Sequence, residues 1–129
     1  MPYCQLFYHL VWATRHREPR LTLEIEPIVF GFLQTKAVLL GAQVFALNGI
    51  EDHVHMIASI PPRVALATFV GQVKGAAATR FNKAHPDRPP LLWQQEYGAF
   101  YWREAFQKDE ECHRQRIHFE VVFASDFAR

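Results

Sequence analysis

The sequence predicts an α+β fold of the ferredoxin-like, split βαβ type: one antiparallel sheet with helices packed on one face. Three observations predict it. Strand-like and helix-like hydrophobic patterns follow one another in the order strand, helix, hairpin, helix, strand. Two long segments carry apolar stripes at helical spacing. The length, 129 residues at 50% hydrophobic content, suffices for one core and not for two, so residues 1–129 read as a single domain.

Residues 3–14 mix β-branched and aromatic side chains (Phe7, Tyr8, Val11, Trp12), which suits a mostly buried strand. A short basic stretch follows, with Arg15, His16, Arg17 and Arg20. From Glu24 to Leu40, Ile25, Val29, Phe32, Leu33, Ala37 and Leu40 recur at helical spacing; Pro27 falls in the first turn and Gly41 supplies the stop. Residues 43–47 and 53–60 read as strands of a hairpin across a turn at 48–52. The second helix is expected from Val64 to Lys83, with Leu66, Phe69, Val70, Val73, Ala77 and Phe81 as its stripe. Three prolines make residues 84–90 a loop. The aromatic segment 91–102 supplies the last sheet strand, with Gly98 suggesting a bend or bulge. Residues 103–116 are polar and compatible with a late helix; residues 119–127 fit a strand, a tail or a partner-facing helix.

Composition narrows the function classes. Lys and Arg number 14 against 13 Asp and Glu, a net charge of +1, so any basic surface is local. Two cysteines, Cys4 and Cys112, are too few for a disulfide scaffold, and no secretory leader is recognisable. No apolar run reaches the roughly 18 residues that cross a bilayer. A soluble, cytoplasmic protein with no membrane partner is expected.

The most informative segment is Asp52-His53-Val54-His55-Met56. Residues i and i+2 of a strand project from one side, about 6 to 7 Å apart along it. Two imidazoles so placed can share a divalent ion that acts as Lewis acid on a phosphate. They can equally be half-exposed strand residues without a ligand. Imidazole suits manganese, zinc or iron better than magnesium, and a third ligand is needed. Asp52, Asp109, Glu110, Glu111 and His113 qualify by chemistry.

A tyrosine nucleophile can hold a broken DNA strand covalently. Tyr3 and Tyr8 lie in the apolar first strand; Tyr97 and Tyr101 lie in the aromatic segment, where core packing is the competing explanation. With DNA as partner, Trp93 and its aromatic neighbours could stack bases while Arg15, Arg17 and Lys74 contact phosphates.

Several segments together resemble a known family: 9–14 (HLVWAT), Leu47-Asn48-Gly49-Ile50 leading into the histidine segment, Val73-Lys74-Gly75, and 93–100 (WQQEYGAF). In these the chain resembles the small IS200-like, HUH or single-tyrosine (Y1) transposases, including proteins that act on repeated extragenic palindromes. The resemblance spans about residues 3–120. It implies a ferredoxin-like domain, dimeric, that recognises single-stranded DNA hairpins and cuts and rejoins strands with a divalent ion, Mg or Mn. His53 and His55 match the family's metal ligands. Its nucleophilic tyrosine sits on a late helix, here about 103–116, and forms a 5′-phosphotyrosine link.

This sequence departs from the family at that helix. The best match is residues 105–114 (AFQKDEECHR), after a shortened spacer, and it puts Ala105 where the nucleophile belongs. Asp109 takes the place of a metal-binding glutamine, one helical turn on. Tyr97 matches a tyrosine that the family keeps besides the nucleophile, which leaves Tyr101 as the fallback nucleophile. The expected function is therefore a DNA transposase that binds single-stranded hairpins and cuts and rejoins strands by metal-assisted phosphotyrosine chemistry, impaired in this copy if Ala105 stands at the nucleophile's position. The alternative is a repurposed, non-catalytic DNA-binding or dimeric structural protein, and a small-substrate metal hydrolase is a third class.

Overall fold

A computed structural model describes residues 2–107 and 115–125 of the chain, with side chains described for 7–101. Strand β1 (Pro2–Ala13) leads through a 3-10 turn (Arg15–Arg17) to helix α1 (Glu26–Leu39). The hairpin β2 (Gln43–Ile50) and β3 (His53–Ser59) follows, then helix α2 (Leu66–Ala84), β4 (Glu96–Gln107) and β5 (Gln115–Ser125). The described strands form one sheet in the order β2-β3-β1-β4-β5, with every neighbouring pair antiparallel. The first four strands and two helices make the expected split βαβ arrangement, with β1 at its centre.

Strand alternation sorts the side chains between the two faces. Leu10 and Trp12 of β1, Val54, Met56 and Ala58 of β3, and Tyr97 and Ala99 of β4 are buried on one face. Against them pack Val29, Leu33 and Ala37 of α1, and Phe69, Val70, Val73, Ala77 and Phe81 of α2. These are the stripes that the helical spacing predicts. The opposite face of the sheet carries no helix among the described residues.

Local chemistry explains the element ends. Pro27 occupies the first turn of α1, where a backbone N–H has no intrahelical partner in any case. At its far end Gly41 takes φ +93°, and the N–H groups of Gly41 and Ala42 donate to the carbonyls of Val38 and Ala37 at 2.9 and 3.0 Å. This double closure requires the left-handed glycine.

The β2–β3 turn is shorter than the sequence suggests. Asn48, Gly49 and Ile50 stay in the ladder, opposite His55, Val54 and His53. Gly49 makes this possible, because a Cβ there would run into the carbonyl oxygen of His53 and lie 3.2 Å from the Phe30 ring.

The late helix expected at about 103–116 is corrected. Residues 103–107 continue β4, and Gln115 and Arg116 begin β5. Strand β1 pairs with β4 from Val11↔Gly98 to Pro2↔Gln107, so ladder pairing extends through the segment. Ala105 thus pairs with Cys4 and Gln115 in a sheet. Asp109 lies outside the described residues. Gly98 makes no bulge; the irregularity falls between Arg103 and Glu104. Residues 119–125 are strand.

Candidate functional site

His53 and His55 project from the helix-free face, as their spacing predicts, with Val54 between them fully buried on the other side. Their ring centroids are 6.4 Å apart and the planes are inclined by 30°. Both rings have a hydrogen-bond partner at one nitrogen. Nδ1 of His53 lies 2.9 Å from Oδ1 of Asp52, and Nδ1 of His55 lies 3.2 Å from Nε2 of His9. The Nε2 atom of each ring is the one these two contacts do not use.

The local electrostatics follow from these contacts. The hydrogen bond from His53 holds the Asp52 carboxyl below its usual range, helped by the charges of His53 and Arg17 against a smaller opposing effect of burial. Burial lowers the pKa of His55, and the neighbouring His9 and His53 lower it further. Both effects favour the neutral imidazole, the form that can donate a lone pair.

The basic stretch is tied to the same corner. The Thr14 N–H donates to the Asp52 carbonyl at 3.0 Å, and the Thr14 hydroxyl donates to the Glu18 carbonyl at 2.7 Å. His16 and Arg17 take φ of 57° and 56°, a left-handed conformation uncommon outside glycine. The Arg17 guanidinium, 60% exposed, lies 3.9 Å from the Asp52 carboxylate. Arg15 is exposed, and its N–H donates to the Leu92 carbonyl. The Arg17 side chain therefore stands at the histidine corner, and Arg15 lies two residues before it in the chain.

Burial and parity place Lys74, Tyr97 and Tyr101 away from this corner, whereas Trp93 forms a β-bridge with Thr14 beside it. Lys74 is 2% exposed, inside the molecule, and its ammonium donates to the Gln94 carbonyl at 2.7 Å. Trp93 donates its Nε1–H to the Lys74 carbonyl at 2.9 Å and packs edge-on against Trp12. Together they hold the segment before β4 onto α2.

Tyr97 is buried in the core, and the Tyr101 ring lies 5.8 Å from that of Tyr8. By strand parity both tyrosines are on the helix face, with the sheet between them and the histidines. Within one subunit, neither reaches a phosphate held at His53 and His55.

The donor set decides what fits here. Two imidazoles with orienting partners behind them are the usual half of a divalent-ion site. Among the described residues, no group of three His, Cys, Asp or Glu side chains is gathered to hold a metal. By chemistry, His53 and His55 can supply two ligands. Asp52 stands behind His53 as its partner. His9 had no place in the expected ligand set; its parity in β1, opposite to Leu10 and Trp12, is the sequence signal that puts it on the histidine face.

Comparison with known proteins addresses the chain as a whole. The family model described as "Transposase IS200 like" matches residues 3–111. The ISDra2 transposase TnpA of Deinococcus radiodurans is 32% identical over 102 residues, covering 79% of this chain and 70% of that protein. The transposase of insertion sequence element IS200 from Salmonella typhimurium is 27% identical over 71 residues, 55% of this chain and 47% of that one. A crystal structure of a Deinococcus radiodurans protein described as a transposase superposes with a TM-score of 0.69 at 32% identity, covering 74% of this chain and 77% of the other. A REP-associated tyrosine transposase bound to a REP hairpin has the same fold, with a TM-score of 0.52 at 14% identity, covering 83% of this chain and 59% of the other.

Proposed function

The chain belongs to the IS200-like transposase family, and from that premise we propose that it binds a single-stranded DNA hairpin and a divalent ion, Mn or Mg, at the helix-free face. His53 and His55 hold the ion through their Nε2 atoms. Arg15 and Arg17 contact the phosphates beside it. The observation that carries this reading is the side-by-side placement of the two imidazoles, with Arg17 and Asp52 at the same corner. A bound divalent ion supplies Lewis-acid polarisation of a phosphate oxygen. The protein's own part is to orient the imidazoles, keep His55 neutral, and fix the DNA backbone with the guanidinium groups.

Strand cutting and rejoining needs a nucleophile at this face. Ala105 has no oxygen to attack phosphorus, and Tyr97 and Tyr101 lie across the sheet. Within one subunit this parity favours the repurposed reading over cleavage by Tyr97 or Tyr101, with recognition and metal binding kept. The functional form is a homodimer in this proposal.

The test is binding of an end-labelled hairpin, compared with the same sequence as a perfect duplex, with Mn²⁺ present. Hairpin preference that weakens in Arg17→Ala and in His53→Ala/His55→Ala is expected, with no covalent adduct on a denaturing gel. Equal binding of duplex and hairpin, or an adduct that disappears in Tyr101→Phe, overturns the proposal. Light scattering of the complex reads the dimer.

A further inference from the structure

We propose that His9 is a positioning residue for His55: it accepts a hydrogen bond from the His55 Nδ1–H and so leaves the Nε2 lone pair of His55 free for a metal ion. The inference rests on the metal reading given above.

The geometry comes from the register of β1 and β3. Val11 lies opposite His55, and His9 lies opposite Ile57, so His9 is the diagonal neighbour of His55 on one face. Diagonal neighbours are within reach of long or aromatic side chains. The His9 Nε2 is 3.2 Å from the His55 Nδ1, and the ring centroids are 5.3 Å apart. From β4, Phe100 lies directly opposite His9, its ring 5.8 Å away. The His9 ring is therefore bracketed by His55 and Phe100.

A hydrogen bond between two neutral imidazole nitrogens has two solutions. In one, His9 donates from Nε2–H, and His55 accepts at Nδ1 and carries its proton on Nε2. That nitrogen is then blocked as a ligand. In the other, His55 donates from Nδ1–H to a His9 that holds its own proton on Nδ1. Only the second leaves His55 Nε2 with an unshared pair on the exposed side. The Asp52 carboxylate imposes the same choice on His53, because a carboxylate can only accept. With His9 accepting, both rings present the same atom to one ion.

The experiment compares wild type, His9→Phe and His9→Gln. Phe keeps the ring beside Phe100 and removes the acceptor; Gln returns an acceptor oxygen near the position of the lost Nε2. Two readouts are taken: the tautomer of His55 by long-range proton–nitrogen NMR of the metal-free protein, and Mn²⁺ affinity by calorimetry. The expected result is an Nδ1–H tautomer in wild type, lost in His9→Phe, with Mn²⁺ affinity down about ten- to a hundredfold. His9→Gln restores both. An Nε2–H tautomer in wild type, or Mn²⁺ affinity unchanged in His9→Phe, overturns the inference. If the tautomer follows expectation but wild type binds no Mn²⁺, the metal reading is what fails, and the ligand-positioning role fails with it.

Discussion

Oδ1 of Asp52 lies 2.9 Å from Nδ1 of the residue that follows it, His53. The contact sits where the two-residue turn between β2 and β3 enters β3, and it joins three functions at one corner. The Asp52 carbonyl accepts from Thr14, its carboxylate orients His53, and the same carboxylate faces Arg17.

Asp52→Asn tests that corner. The amide oxygen can still accept from His53, but the charge is gone. Mn²⁺ affinity is expected to fall about tenfold. The pKa of Asp52 is depressed on folding, so its contribution to stability is present above the ordinary carboxylate range and is lost as pH falls through the folded value. Chemical denaturation should therefore show wild type more stable than Asp52→Asn at pH 7, with the gap closing in strong acid.

His55 gives a second dependence on pH, of opposite chemical origin. Its folded pKa is lowered, so the unfolded chain takes up the proton first. Stability is full above the ordinary imidazole value of about 6.5 and declines as pH falls through it toward the lower folded value. Urea denaturation of the metal-free protein between pH 7.5 and pH 5 (roughly the window set by that value) should show this slope, and His55→Gln should flatten it.

Lys74 separates a structural cation from a DNA-binding one. Lys74→Met removes the ammonium that the Gln94 carbonyl accepts from, and is expected to cost about 1.5–3 kcal/mol of stability, the usual worth of a charged hydrogen bond. The salt dependence of hairpin binding should not change. Arg17→Ala should do the reverse, leaving the melting temperature near wild type and reducing the salt slope by about one unit.

Gly49→Ala probes the hairpin that carries the histidines. The added methyl meets the His53 carbonyl, which belongs to the backbone and cannot swing aside. An overpacking cost of about 1–3 kcal/mol is expected, read as a lower denaturation midpoint. The His53 and His55 NMR signals should shift with it.

Much of this protein is legible in one dimension, because hydrophobic period is a local property. The 3.6-residue stripes locate α1 and α2, and Gly41 marks the end of the first. The period of two puts His53 and His55 on one face with Val54 buried beneath them. The family segments share this property, since each is a short run read along the chain. Where the local signal is ambiguous the reading diverges: 103–107 are compatible with a helix by composition, and they become strand because β1 offers them a ladder.

What the tertiary structure decided is everything that depends on which strands pair and which face the helices cover. Lys74 reads as a helix-surface cation, yet the segment before β4 closes over it. Tyr97 and Tyr101 read as neighbours of the site in a linear motif, yet pairing with β1 sets their parity to the helix side. His9 and His55 are 46 residues apart and meet only through the register of β1 against β3. The physical reason is common to all three. Composition and spacing determine the direction of a side chain relative to its own backbone, whereas its partners are determined by long-range pairing that no local window contains.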